Sequence, residues 1–219
     1  MTHPPRGFRS TRPRPENRVI LPVQLCHDDA MKERTLTDGT VWLSRPTEAD
    51  IDAMVAHCQH PSIGAWITIP VPYGREDAET FLRDMAEPGW SGRNPIWALR
   101  PHENGPLIGT VRVGGQDETA GEVGYWLAHE HRGRGLMSRA VALVCEFGFD
   151  PAGMDLARIG WHAYVGNHAS AAVVRRNGFR YEGMARLGAV HRDVRRDTWL
   201  AGRLATDPPG PADGWPAGI

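Results

Sequence analysis

Arg132, Gly133, Arg134 and Gly135 stand directly before an apolar-periodic run in the stretch "HEHRGRGLMSRAVALVCEFGF", His129 to Phe149. The chemistry this spacing allows is anion binding. The first-turn N–H groups of a helix have no partners inside it, and the helix dipole places partial positive charge at the same end. Glycines without a Cβ let that main chain come against a bulky phosphate or pyrophosphate, and arginines add charge at the edge. A Walker A loop is excluded because no Gly-Lys-Ser/Thr triplet follows. A dinucleotide fingerprint needs a third glycine where Ser138 stands and glycines straight after the strand, whereas Ala128 to His131 intervene after Leu127. Taken alone, the glycines could also make a plain strand-to-helix turn.

The elements that must position this loop follow from periodicity and punctuation. "IWALR", "LIGTVRV" and "EVGYWLA" read as three successive strands separated by "PHENGP" and "GGQDETAG", an antiparallel meander. From Gly135 the period changes to that of a helix, with Met137, Ala140, Val141, Val144 and Phe147 on one stripe. "LARIGWHAYV" is then a strand, "NHASAAVVRRNGF" a helix, and a last strand is centred on Thr198 to Ala201. Upstream, Asp38-Gly39 makes a turn before a strand at Val41 to Ser44. Thr47 with Asp50 caps a helix bearing Ile51, Met54, Val55 and Cys58 on one face. A second helix runs from about Arg75 to Met85, ended by Pro88-Gly89. The pattern predicts an α+β domain and not a doubly wound sheet.

Composition bounds the function classes. With 219 residues, 41% of them hydrophobic, one sizeable core is expected. A net charge of -1 gives no global field for nucleic acid or an anionic membrane, so neither is expected as a partner. Cys26, Cys58 and Cys145 are odd in number and far apart, which suggests neither a disulfide framework nor a zinc site, and no metal is expected. No run of 18 apolar residues and no signal-peptide core are visible, so a cytoplasmic protein is expected. Residues 1–35, rich in Arg and Pro, read as a flexible extension, 36–205 as the folded domain, and 206–219, rich in Pro and Gly, as a flexible tail. Trp215 in that tail could dock on the surface or on a neighbouring subunit.

Arg132-x-x-Gly135-x-Met137 after "EVGYWLA", followed by "YVGNHASAAVVRRNGFRYEG", resembles the GNAT superfamily of acyl-coenzyme A-dependent N-acyltransferases, and within it the Rim-type proteins that acetylate protein N-termini. The family loop ends in Gly or Ala where Met137 stands, a substitution common in Rim-type members. The resemblance spans about Leu36 to Leu204 and implies a mixed central sheet of about six to seven strands flanked by about four helices. It implies acetyl-coenzyme A as cosubstrate, with succinyl-coenzyme A as an option used by some relatives. The strand Glu122 to Leu127 would splay from Ala157 to Tyr164 and admit the pantetheine arm. The resemblance assigns Arg132, Gly133, Arg134, Gly135, Leu136, Met137 and Ser138 to the pyrophosphate. It assigns a main-chain N–H around Trp126, Leu127 and Ala128 to the oxyanion. Asn167, which capping alone would explain, is implied as a coenzyme partner, and Ser170 as the donor to the leaving thiolate.

The reaction so implied is attack of a neutral amine on a thioester carbonyl. An α-amine has a pKa near 7.7 to 8.0, so roughly a tenth is neutral at pH 7, against well under a thousandth of a lysine near 10.4. A weak or water-relayed base then suffices, and Glu122 is the candidate. Some Rim-type enzymes use a glutamate about ten residues past the Gly-Phe pair, where this chain reads "RLGAVHRD" without one. His191, Tyr164 and Tyr181 are weaker candidates, for which surface or packing roles are the simpler reading. Trp66, Ile67, Pro70 and Tyr73 are expected at the acceptor pocket, while Glu76, Asp77 and Glu79 are spaced as a solvated face. The leading acceptor is a protein N-terminus. The alternatives are a small-molecule amine or a catalytically weak acyl-coenzyme A-binding module. Oligomeric state stays open, with a homodimer among the options.

Overall fold

The computed structural model describes residues 33–219, so the expectation of a flexible arm lies, up to position 32, outside the described residues. Eight strands form one sheet: β1 (Leu36–Thr37), β2 (Trp42–Ser44), β3 (Ile96–Arg100), β4 (Gly109–Gly115), β5 (Ala120–Leu127), β6 (Arg158–Tyr164), β7 (Arg180–His191) and β8 (Val194–Leu204). Their spatial order is β1-β2-β3-β4-β5-β6-β8-β7. Every neighbouring pair is antiparallel except β5 and β6. The mixed α+β sheet is as expected, with two strands beyond the six read from the sequence. Besides the two-residue β1 the addition is β7, which the sequence hides for a physical reason. Its pairing with β8 shifts register between Tyr181 and Gly183 and again between Ala185 and Ala189. Each shift changes which face the following residues meet, so a period of two is never sustained.

The helices lie on the two faces. On one are α1 (Ile51–Cys58), α2 (Pro61–Gly64) and α3 (Arg75–Phe81), the last continuing through a wider π turn at Leu82–Ala86 into α4 (Glu87–Gly89). They bury Ile51, Met54, Ile63, Tyr73 and Leu82 against Ala98, Leu107 and Trp126. On the other are α5 (Leu136–Phe149) and α6 (His168–Arg176), whose apolar stripes, Val141, Val144 and Phe147 among them, pack on Trp97, Val111, Val123 and Ile159. No helix among the described residues is long and apolar enough to cross a membrane.

One buried ion pair locks the first helical layer to the sheet. The Asp50 carboxylate accepts the Thr47 N–H at 2.9 Å, the capping interaction read from the sequence. It also takes both Nη atoms of Arg100 at 2.8 Å each, with only 6% and 11% of the two side chains exposed. Arg100 further donates to Ser44 Oγ and the Gly105 carbonyl, so four of its five N–H groups are engaged. Removing one partner of such a pair costs about 3–5 kcal/mol because the other is left charged and buried.

Both ends of the described chain are tied down more closely than composition indicates. Trp97 Nε1 donates to the Arg34 carbonyl at 2.8 Å. The 206–219 segment, expected to be flexible, packs on the domain: Trp215 is 8% exposed and donates its Nε1 to the Phe179 carbonyl at 2.9 Å. Its ring lies 6.0 Å from that of Trp161 and 5.5 Å from that of Tyr181. Proline and glycine argue for order only weakly, but a large aromatic with one N–H to satisfy offsets that where a carbonyl and apolar rings await it.

Candidate active site

The site begins where the sheet fails to close. β5 and β6 pair only through Ala120 with Arg158, Gly121 with Ile159 and Glu122 with Gly160. Beyond that, β5 stays paired to β4 out to Leu127 and β6 to β8 out to Tyr164, so the two strands part. The Ala128 N–H donates to the Ile108 carbonyl at 2.8 Å. Main-chain groups alternate sides along a strand, so the amides of Trp126 and Ala128 face β4, while those of Leu127 and Tyr125 face the gap. This narrows the expected oxyanion donor: the amides of Ala128 and Trp126 face β4, and Leu127 is the member of the trio whose N–H is on the open side.

On the α5–α6 side of the gap lies a cleft of about 560 Å³. It is lined by Trp126 and Leu127, by Arg132, Gly133, Gly135, Leu136, Met137 and Ser138, and by Asn167 and Ser170. Gly133 and Gly135 both sit at φ +75°, in the left-handed region, with nothing within 4 Å of where a Cβ would stand. The first main-chain bond back into α5 runs from Arg139 N to the Gly135 carbonyl, so the amides of Leu136, Met137 and Ser138 have no acceptor within the helix. A 14-residue helix behind them adds its dipole, and the loop can take an anion. Arg132 Nε donates to the Leu127 carbonyl at 3.0 Å, latching the loop to the end of β5. Arg134, expected at the pyrophosphate, is exposed and does not line the cleft; Ala128 is fully buried and does not line it either.

On the α1–α3 side lies a second cavity of about 380 Å³, with Met54, Cys58, Tyr73 and Phe81 among its lining. The two cavities share Trp66, Ile67, Tyr125, Trp126, Asn167 and Ser170, so they meet through the gap between β5 and β6. Trp66, Ile67 and Tyr73 are where the acceptor side was expected; Pro70 is exposed and outside the lining. Burial pushes the Cys58 thiol up to about 12, which keeps it protonated and poorly nucleophilic at neutral pH.

Glu122 lines the second cavity and not the first. His162 Nδ1 lies 3.0 Å from Glu122 Oε2, and Arg112 Nη2 is 3.7 Å from Oε1. Burial works to raise the Glu122 carboxyl, but the His162 hydrogen bond and the His162 and Arg112 charges outweigh it and hold the group below its ordinary value. The same hydrogen bond lifts His162 above its ordinary value, against desolvation, with the Glu122 charge helping. His162 and Arg112 were not read as site residues. The signal lies in the register, because Glu122 pairs with Gly160, and His162, two residues on, shares that face of the sheet.

Ser170 lines both cavities and is held by four contacts: Trp161 Nε1 at 3.1 Å from Oγ, Tyr125 Oη at 2.9 Å from Oγ and 3.0 Å from the carbonyl oxygen, and Asn167 Oδ1 at 3.2 Å from its main-chain N. Asn167 thus caps α6. Tyr164 donates to the Val190 carbonyl at 3.2 Å and lines the second cavity under the Arg196 guanidinium. His191 is buried, not on the surface, and desolvation with the nearby Arg192 and Arg196 charges depresses its pKa. Tyr181 packs on Trp215 away from both cavities.

Residues 40–180 match the acetyltransferase (GNAT) domain family. The chain is 29% identical over 165 residues to a putative ribosomal N-acetyltransferase, YdaF, of Bacillus subtilis, covering 71% of this chain and 87% of that protein. In fold it resembles the ribosomal-protein-S5-alanine acetyltransferase of Vibrio fischeri, with a TM-score of 0.69 and 21% identity over 80% of this chain and 98% of that one. It also resembles Mycobacterium smegmatis RimJ in complex with a coenzyme A disulfide, with a TM-score of 0.68 and 21% identity over 79% and 87% of the two chains. A parted β5–β6 pair over a glycine-turned helix N-terminus, within a matched domain of this extent, makes the chain a member of the GNAT family and an acyl-coenzyme A-dependent acetyltransferase.

Proposed function

We propose that the protein transfers an acetyl group from acetyl-coenzyme A to a primary α-amine, with a protein N-terminus as the leading acceptor. The observation that carries this reading is the meeting of two cavities, one from each face of the sheet, at the gap between β5 and β6. The coenzyme occupies the α5–α6 cleft, its pyrophosphate on the amides of Leu136, Met137 and Ser138 and its pantetheine against the open edge of β5. The amine approaches from the α1–α3 side. The residues common to both cavities include no cation, which suits an acetyl group better than a succinyl carboxylate.

The chemistry then divides among groups already in place. The amine nitrogen attacks the thioester carbon, forming the C–N bond and an oxyanion that the Leu127 N–H meets. The nitrogen gives up a proton to the Glu122–His162 pair. With Nδ1 bonded to the carboxylate, His162 keeps Nε2 as its free nitrogen, and Glu122 stabilises the imidazolium that results. The C–S bond then breaks and the sulfur takes a proton from Ser170, whose hydroxyl is refilled from solvent with the proton the amine released. The low demand an α-amine places on its base fits a pair this modest. The names of the Vibrio fischeri ribosomal-protein-S5-alanine acetyltransferase and of YdaF, a putative ribosomal N-acetyltransferase, support a protein acceptor.

The test is direct. Acetyl-coenzyme A at about 100 times its dissociation constant adds about 2.7 kcal/mol, which for a chain of this size raises the unfolding midpoint by roughly 5 to 10 degrees. Peptides with free N-termini and small amines are then assayed side by side for coenzyme A release. Turnover confined to small amines would overturn the N-terminal reading, and binding without turnover across the panel would favour a binding module.

A further inference from the structure

Ser170 sits in a closed set of hydrogen bonds in the wall between the two cavities. An indole N–H only donates, so the 3.1 Å contact from Trp161 occupies one lone pair of Oγ. The Tyr125 hydroxyl oxygen lies 2.9 Å from Oγ and 3.0 Å from the Ser170 carbonyl oxygen. A carbonyl only accepts, so while the single phenolic hydrogen rests on the carbonyl, the Ser170 O–H must point at Tyr125. In that arrangement Ser170 shows the cleft a lone pair and no hydrogen.

The two acceptors are nearly equidistant from the phenolic oxygen, so a rotation of one O–H bond moves that hydrogen from the carbonyl to Oγ. Oγ then accepts from both Trp161 and Tyr125, and its own hydrogen is released toward the cleft. The carbonyl loses little, because it belongs to α6 and has a helical partner available. We propose that Tyr125 and Trp161 are positioning residues that aim the Ser170 hydroxyl, the rotation of the Tyr125 O–H switching Ser170 from an acceptor in the resting enzyme to a donor facing the departing sulfur. This rests on the assignment of Ser170 as that donor.

The surroundings suit the task. Trp161 is only 4% exposed, and its N–H is directed into the Ser170–Tyr125 pair, 3.1 Å from Oγ. Burial pushes the Tyr125 phenol well above its ordinary value, against the hydrogen bonds that would lower it, so the hydroxyl keeps its proton and acts by orientation alone. Two donors on Oγ also make the remaining O–H a stronger donor, as hydrogen bonds in a chain polarise one another. No net proton leaves Tyr125 or Trp161 during a turnover.

A double-mutant cycle separates aiming from mere packing. Ser170→Ala, Tyr125→Phe and Trp161→Phe, and each of the latter two combined with Ser170→Ala, are assayed for kcat, KM for acetyl-coenzyme A and unfolding midpoint. Ser170→Ala is expected to lower kcat about 100-fold, as loss of a general acid does. Tyr125→Phe and Trp161→Phe should each lower kcat about 10-fold with KM for acetyl-coenzyme A nearly unchanged, on the scale of one to two hydrogen bonds. In the Ser170→Ala background neither should lower kcat further. An equal loss in both backgrounds, or no loss from Tyr125→Phe in the parent, overturns the inference. If Ser170→Ala itself leaves kcat intact, the assignment of Ser170 falls, and the aiming role falls with it while acetyl transfer stands. Tyr125→Phe keeps the ring, so a failure of Trp161→Phe to fold still leaves a decisive variant.

Discussion

The two sides of the gap between β5 and β6 are built on different principles. The α5–α6 side presents main chain: glycines at positive φ, unpaired amides of a helix start and the bare edge of a strand, most of it within Leu127 to Ser138. The α1–α3 side presents side chains delivered by several separate elements, with Glu122 from β5, His162 from β6, Arg112 from β4 and Trp66 from beyond α2. A ligand common to a whole family can be held by atoms every residue has. A variable ligand needs side chains, which can change without rebuilding the fold. The difference is one of tolerance: the first side should forgive many side-chain substitutions and few backbone ones, and the second the reverse.

The largest effect expected from breaking this contrast is Glu122→Gln. The proton acceptor loses its charge partner, so kcat/KM for the amine should fall about 100-fold to 10,000-fold, the range for general-base loss. Acetyl-coenzyme A affinity, measured by calorimetry, should stay where it was; a matching loss of affinity would mean that Glu122 serves the coenzyme side.

The pH behaviour sharpens the same point. His162 is active when neutral and sits above its ordinary 6.5, so the rate should rise with pH along a limb displaced upward from that value. Glu122→Gln should move what limb remains downward. Stability follows the opposite order. The raised His162 contributes stability that is complete below its unfolded value of 6.5 and lost as pH rises through its folded value. The depressed Glu122 contributes stability present above its unfolded value of 4.5 and lost as pH falls through its folded value. The pair therefore supports the fold most between those two unfolded values, and Glu122→Gln should lower the midpoint within that window and lessen its decline on either side. A parent whose midpoint falls no more than that of Glu122→Gln as pH rises above the window contradicts the pairing.

On the other side, Gly135→Ala places a side chain at φ +75°, which costs about 1–2 kcal/mol. Acetyl-coenzyme A affinity should fall roughly 10-fold if that strain is relieved by moving the loop, with KM for the amine unchanged. The smallest effect is expected from Arg134→Ala, at most about twofold on that affinity, as for a screened surface charge. Arg132→Ala should cost more because it unlatches the loop from Leu127. Equal losses from the two arginines would show that charge, not main-chain shape, holds the anion.

The same contrast explains what could be read from the chain before its structure. The anion loop is contiguous, so a change of period at Gly135 and two glycines marked it as a candidate, and the family resemblance supplied the coenzyme. The capping of the 3-10 turn Glu48–Asp50 that leads into α1, by Thr47 and Asp50, was local in the same way. What stayed hidden depends on register. Nothing near Trp126 or Ala128 states that their amides face β4, which the Ala128–Ile108 bond decides. His162 lies 40 residues from Glu122, and only the parallel pairing of Glu122 with Gly160 brings them to one face. β7 escaped because its bulges break the alternation, and the docking of Trp215 depended on a carbonyl 36 residues away.

Three residue pairs between β5 and β6 are all the strand pairing that joins an antiparallel half, β1 to β5, to another made of β6, β8 and β7. The seam of the sheet and the seat of the reaction are therefore one place. A chain divided in the turn after α5 would yield two fragments, each carrying its own run of antiparallel partners and neither carrying a complete gap. Only their reunion would rebuild the gap, so acetyl transfer by the paired fragments would report complementation, and two proteins fused to them would announce their own proximity by restoring it.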